Sequence, residues 1–226
     1  MSEERFVPRE DPRPDDVHWP VAQWPPGPDV HLRGTWVELT PTTIRDAHGL
    51  RLALDHDHVW QHLVGGRLPD DATARHWISE VLDRGWFPWT VRLLRDVGER
   101  HAGSIVGWSS YLEIAPKDAR LEIGNTAYDP GVWGTVVNPE CKLLLLSYAF
   151  ENLSMGRVQL KTDIRNERSQ QAIHRLGATY EGVLRRYQRR GDGTVRDTVV
   201  FSITAEDWPD VRRGLSDRVS AYDAVA

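Results

Sequence analysis

An α/β (α+β) fold is predicted for this chain: a single domain with a mixed, mostly antiparallel twisted sheet flanked by helices, preceded by a Pro-rich arm. Three observations point there. Runs such as WVELT and RVQLKTDI alternate apolar and polar residues, the period of a half-buried strand. Between such runs lie segments with helical spacing, among them HWISEVL and ERSQQAIHRLG. The order is a strand, two helices, three strands, two strand–helix units and a closing hairpin, the pattern of a sheet covered by helices.

Each element has a local reason. Residues 1–30 are rich in proline and acids, including Trp24-Pro25-Pro26-Gly27-Pro28, so an extended arm is expected. Trp19 and Trp24 need a surface to cover, which predicts that the arm packs on the domain or on a second subunit of a homodimer. Trp36 opens a strand, and Thr43 starts a helix running to about His56. Asp70 and Asp71 can cap a second helix that continues through HWISEVL. FPWTVRLL, AGSIVGWSSYLEI and ARLEIGNTAY read as three strands. Pro139 opens the helix ECKLLLLSYAFENL, where its missing donor is harmless, and Gly156 stands at its stop. RVQLKTDI, a helix ending at Gly177, and a hairpin around Gly191-Asp192-Gly193 follow. A last helical turn or two begins near Glu206-Asp207-Trp208. The organisation predicted is an arm (1–30), the domain (31–213) and a C-terminal tail (214–226).

Composition narrows the function. The 226 residues include 40% hydrophobic and 27% charged side chains, enough for one sizeable core. A net charge of −5 argues against a nucleic-acid partner, which would want a basic face. Cys141 is the one cysteine, so no intrachain disulfide forms and a reducing compartment is the natural setting. The first residues, MSEERFVPREDPRPDD, hold no apolar run of a signal peptide, and Leu143–Leu146 is far too short to cross a bilayer. A cytoplasmic protein with no membrane partner is expected.

The chemistry concentrates in EIGNTAYDPGVWGTVVNPECKLLLL, residues 122–146. A strand there runs into a glycine-containing turn that opens a helix. First-turn amides lack intrahelical acceptors and the macrodipole adds positive potential, so the turn suits a pyrophosphate. On the residues alone, an ordinary strand–helix connection explains the glycines equally well.

The string D-P-G-V-W-G-T-V-V-N-P-E resembles the acyl-CoA loop of the GNAT superfamily of N-acetyltransferases, in its ribosomal-protein alanine N-acetyltransferase (RimJ/RimL-like) branch, with the early helix Glu of that branch. N-E-R-S-Q-Q-A-I-H-R-L-G-A and E-G-V-L-R…D-G…R-D-T…S-I…E-D-W-P resemble two further segments of the same branch, in the same order, over about residues 31–213. The resemblance implies acetyl-CoA as co-substrate, no metal, and an amine acceptor, either a protein N-terminus or a small molecule. It implies that Val132, Trp133, Gly134, Thr135, Val136, Val137 and Asn138 hold the pyrophosphate. It implies too that Ala127, Tyr128 and Asp129 pair with the pantetheine arm like an added strand, that Asn166 hydrogen-bonds it, and that Ser169 lies beside the thioester sulfur. The chain departs from the family at Gly131, where Gln or Arg is usual, and at Val136, where a branched residue crowds a phosphate and resists positive φ. Ile173 stands where many members carry a tyrosine.

Transfer by direct attack needs a neutral amine. An α-amino group at ~7.7–8.0 loses its proton near pH 7 at a cost of about 1 kcal/mol, a lysine at ~10.4 only at about 4–5 kcal/mol. Glu122, on the strand leading into the loop and turned opposite to Leu121 and Ile123, is the candidate base; a solvated or ion-paired strand residue is the plainer reading. Ser169 is the candidate donor to the leaving thiolate, with Asn166 the better helix cap of the two.

Other signals are weaker. His56, His58 and His62 lack a carboxylate in metal-ligand spacing and read as a polar helix face or a loop bordering the acceptor pocket. Cys141 reads as a packed small side chain, and Trp60, Trp77 and Trp86 as core near the acceptor pocket. Arg185, Arg186, Arg189 and Arg190 read as a solvated strand edge, or as contacts to an acidic acceptor. Other readings are a CoA-binding regulatory domain without catalysis, suggested by Val136 and Ile173, a longer donor such as succinyl-CoA, and a nucleic-acid or scaffold protein using the arginines.

Overall fold

The chain begins its sheet with β1 (Leu32–Arg33) and β2 (Val37–Pro41), in the computed structural model, which describes residues 7–11, 18–27, 29–63 and 66–224. A 3-10 turn (Ile44–Asp46) leads into α1 (Ala47–Leu54), followed by the short α2 (Asp57–Trp60) and α3 (Asp71–Asp83). The single helix expected from Thr43 to His56 is thus shorter and starts with a tighter turn, because Thr43 and Asp46 form a capping box that closes that turn. Asp70 caps α3 by accepting from the Thr73 amide at 2.7 Å, and Ala74, Ile78 and Val81 bury its inner stripe.

β3 (Phe87–Leu93), β4 (Ile105–Ala115) and β5 (Arg120–Tyr128) form the centre of the sheet. α4 (Val137–Ser147) runs into a π turn (Tyr148–Asn152), then β6 (Arg157–Asp163), α5 (Glu167–His174), β7 (Thr179–Arg189), β8 (Val195–Thr204) and α6 (Trp208–Asp223) complete the order. α4 starts at Val137 rather than at Pro139, which sits inside its first turn. The tail predicted for 214–226 is largely helix: α6 spans 16 residues and buries Trp208, Val211, Leu215 and Val219 against the core.

The eight strands lie in the order β1-β2-β3-β4-β5-β6-β8-β7. All neighbours are antiparallel except β5 and β6, whose parallel pairing is confined to Arg120–Glu122 against Arg157–Gln159. Beyond Glu122 the two strands part. This divergence, at the middle of the sheet, opens the cleft described below. A bulge in β5 sets Asn125 and Thr126 opposite Ser109 of β4, with Asn125 at φ 45, a left-handed conformation that asparagine tolerates.

Apolar cores cover the two faces. α4 and α6 pack on one, with Cys141, Leu145, Leu146 and Leu215. α1 to α3 cover the other, where Trp77 stacks on Trp108 at 3.8 Å between centroids and Trp60 meets its edge. The arm packs on its own domain over the described stretch 18–27. Trp19 Nε1 donates to the Ser154 carbonyl at 2.9 Å, the Gln23 amide to that of Leu153 at 2.8 Å, and Trp24 sets its ring edge-on to Phe87 and Tyr111. Residues 1–6 and 12–17, which include most of the segment read for a signal peptide, lie outside the described residues, as does Pro28.

Candidate active site

The diverging edges of β5 and β6 bound a cleft of about 880 Å³, lined also by the turn into α4, by α5 and by Trp86 and Tyr187. Glu122, Ala127, Tyr128, Val132, Trp133, Gly134, Thr135, Asn138, Asn166 and Ser169 all line it, so most of the residues singled out by sequence converge on one space. Asp129, Val136 and Val137 do not line it; their side chains are buried.

The turn into α4 holds fewer available amides than expected. The N–H groups of Val132, Trp133 and Thr135 are committed to the carbonyls of Asp129, Pro130 and Val132, and that of Val137 to Thr135 Oγ1 at 3.3 Å. Among the described residues, no protein acceptor meets the amides of Gly134, Val136 and Asn138. Gly134 has φ +75, and a Cβ there would touch nothing within 4 Å, so the backbone stands open to a ligand. Val136 has φ −66 and a fully packed side chain. The crowding argued from its branched Cβ therefore does not arise: the left-handed position of the loop is Gly134. The long side chain missing at Gly131 is matched by Arg100 from the β3–β4 connection, whose Nε lies 2.8 Å from Asp129 Oδ2. A Cβ on Gly131 would stand 3.1 Å from that Nε. Asp129 also accepts from the Gly131 amide at 2.8 Å, so it organises the turn and offers nothing to a ligand.

Trp133 donates its indole N–H to the Tyr128 carbonyl at 2.9 Å, carries the Arg168 guanidinium 3.7 Å above its ring, and meets His58 edge-on. The Asp129 amide bonds the Val106 carbonyl of β4 at 2.8 Å, so by alternation Ala127 also turns its backbone to β4 and Tyr128 turns toward the gap. Pairing with a ligand along this edge therefore narrows from the three expected residues to Tyr128, whose carbonyl already accepts from Trp133. Asn166 is the cap of α5, accepting the Ser169 amide at 3.1 Å; Ser169 lies in the first turn of that helix, on the cleft wall. Ile173 is buried and can donate nothing.

At the vertex, Glu122 is buried, and its Oε2 lies 2.9 Å from Lys161 Nζ, close but out of line for a hydrogen bond. Burial raises the Glu122 carboxyl above the usual range, while Lys161 pulls the other way. Lys161 also contacts Glu113 Oε1 at 2.5 Å and Tyr187 Oη at 3.2 Å; its two carboxylate neighbours hold it protonated against the effect of burial.

Sequence reading missed Lys142. Its buried Nζ donates to Ser109 Oγ at 3.0 Å and to Thr126 Oγ1 at 2.9 Å, and it lines the cleft from α4. A lysine three, four and seven residues before the buried Leu145, Leu146 and Ala149 was the available signal, a cation on an apolar stripe. Burial lowers its pKa from 10.5 to about 8. The unfolded chain therefore binds the extra proton between about 8 and 10.5, and this group adds stability as pH rises through that window. Below it, the buried charge costs the fold roughly 3 kcal/mol. Lys142→Met is expected to raise stability at pH 7 by ~1–3 kcal/mol and to flatten its rise above pH 8, as read by urea unfolding. A loss of stability at pH 7 would contradict this.

The neighbouring Cys141 thiol is pushed up to about 12 by burial, in keeping with a packing role. Arg190 is no free edge residue: it grips Asp163 through Nε and Nη2 at 2.6 and 3.0 Å. Arg185, Arg186 and Arg189 are exposed, and a register shift between Leu184 and Gln188, with Arg186 at φ 50, breaks the expected alternation. His62 lines the cleft, and among the described residues no group of three His, Cys, Asp or Glu side chains is placed to hold a metal. No helix among them is long and apolar enough to cross a membrane.

Comparison with known proteins agrees with the fold. A crystal structure assigned as an acetyltransferase from T. thermophilus is 34% identical and superposes with a TM-score of 0.76, covering 87% of this chain and 100% of that one. RimJ from Mycobacterium smegmatis, in complex with CoA-disulfide, shares the fold at 20% identity and a TM-score of 0.67, over 80% of this chain and 90% of its own. The uncharacterized N-acetyltransferase YoaA of Bacillus subtilis (strain 168) is 31% identical over 107 residues, 47% of this chain and 59% of its own. The chain spans about three-fifths of the length of the curated relatives it matches. The acetyltransferase (GNAT) domain description matches residues 37–179, the stretch from β2 to the start of β7 that supplies most of the cleft lining, and the chain belongs to that family.

Proposed function

We propose that the protein transfers an acetyl group from acetyl-CoA to a primary amine by direct attack within the cleft. The observation that carries this reading is the parting of β5 and β6, with open amides at Gly134 and Val136 at one end and the buried Glu122 at the vertex. Phosphates suit the first feature, because uncommitted amides at a helix start bind anions without a charged side chain. Arg168, held over Trp133, adds positive potential beside it. The CoA-disulfide held by M. smegmatis RimJ supports the same ligand here through shared fold. Glu122, its proton affinity raised by burial, is the group we assign to take the amine proton. Ser169, on the α5 wall of the cleft, is assigned to hydrogen-bond the departing thiolate; Asn166, as cap, fixes the start of that helix. For the acceptor, the RimJ/RimL-like motifs favour an exposed α-amino group, whose modest pKa asks little of the base. Release of free thiol from acetyl-CoA that depends on an added amine is the test. Thiol release with no amine dependence, or none with any amine, would refute the reading.

A further inference from the structure

Arg196 of β8 is nine-tenths buried, and its side chain borders both the main cleft and an adjoining cavity of about 260 Å³ between Trp60–Leu63 and the Arg190–Asp192 turn. Its Nε donates to Thr198 Oγ1 at 3.1 Å. Among the described residues, its two terminal nitrogens meet no protein acceptor, and no carboxylate lies within ion-pair distance. Asp163 and Glu122 act on it through space, but each is already engaged, Asp163 by Arg190 and Glu122 by Lys161. Burial works against the charge, and a guanidinium cannot shed its proton to escape. A buried cation with free donors facing a cavity is a costly arrangement unless a ligand completes it.

The face it occupies is the one that carries the base. Glu122 registers with Gln159 of β6, and Asp163 with Thr198 of β8. Side chains alternate along a strand, so Glu122, Lys161, Asp163, Thr198 and Arg196 share one face of the sheet. Glu122 and Arg196 also act on one another through space, so an acceptor whose amine lies at Glu122 can turn its other end to Arg196.

We propose that Arg196 anchors a carboxylate of the acceptor, so that the amines taken by this site are amino-carboxylates such as free amino acids. A planar guanidinium with both terminal nitrogens free matches a carboxylate in two-point fashion. The flanking acids Asp163 and Asp192 disfavour a doubly charged phosphate at the same place. This deepens the transferase reading and rests on it for the amine chemistry, with a free amino acid's amine, raised by its own carboxylate, asking more of Glu122 than a peptide terminus does; the anion contact can be measured without turnover.

The experiment pairs free α-amino acids with their carboxamides. Wild-type protein is expected to favour the acid by about tenfold or more in kcat/KM expressed per neutral amine, since the two amines differ in pKa, from thiol release at saturating acetyl-CoA, and to bind it with measurable heat in the presence of CoA. Arg196→Gln is expected to bring the acid-to-carboxamide ratio toward one and to remove the calorimetric binding of the acid. Arg196→Lys, which keeps the charge but not the fork, should fall between, and it serves if the glutamine variant does not fold. A wild-type protein that uses carboxamides as well as acids, or binds neither, overturns the proposal even if transfer is demonstrated. So does an Arg196→Gln variant whose ratio matches wild type. Loss of acid binding in Arg196→Gln without thiol release from any amine would instead keep the anion site and reject the transferase reading.

Discussion

Replacing Glu140 with alanine is expected to lower stability by about 4 kcal/mol. The buried Glu140 carboxylate accepts the amide of Thr35 through Oε1 and those of Trp36 and Val37 through Oε2, each at 2.7 Å. Hydrogen bonds to a charged group contribute about 1.5–3 kcal/mol each, and amides left buried without acceptors cost about 1–3 kcal/mol apiece, so even non-additive losses are large. The fit is close: a Cβ on Gly34 would stand 2.4 Å from the Glu140 Cδ, which is why that position is glycine. These bonds tie the first turn of α4, and with it the open amides of the loop, to the β1–β2 hairpin. A fall in melting temperature of roughly 10 °C is the expected reading for a domain of this size. Faster hydrogen exchange at Trp36 and Val37 should accompany it. A loss under about 1 kcal/mol would mean that water takes over the carboxylate's role.

Glu122→Gln is expected to reduce kcat/KM by ~10²–10⁴-fold, the usual contribution of a positioned base, and to abolish the acid limb of the pH–rate profile. The sign of a companion change follows from the local charges. Lys161 lowers the proton affinity that burial raises, so Lys161→Met should move the acid limb of the profile to higher pH. Lys161 keeps Glu113 as a partner when Glu122 is neutralised, so the glutamine variant should remain folded. A pH profile shared by wild type and Glu122→Gln would remove this residue from the chemistry.

Local patterns carried most of the framework. Alternation marked β2 to β6, Asp70 announced α3, and the glycines before Pro139 marked the turn that opens α4. What escaped was set by distant contacts. α6 is rich in charge, and only the spacing of Trp208, Val211, Leu215 and Val219 reveals the face it presents to α4. The left-handed residue of the loop is Gly134 rather than Val136, a choice made by backbone closure that spacing cannot decide. Arg100 reaches Asp129 from the β3–β4 connection, and Ser109 meets Lys142 only because of the β5 bulge. Glu122 was legible as a candidate because its strand and face follow from alternation; its contact with Lys161 follows from the β5–β6 register.

A titration of isotope-labelled protein with CoA, followed at backbone amides, probes the diphosphate site most directly. Saturable shifts centred on Gly134 and Val136, with little change at the internally bonded amides of Val132 and Trp133, are the expected result. Saturation elsewhere in the sheet, or no shift at any of the open amides up to millimolar CoA, would contradict a phosphate seat at the start of α4.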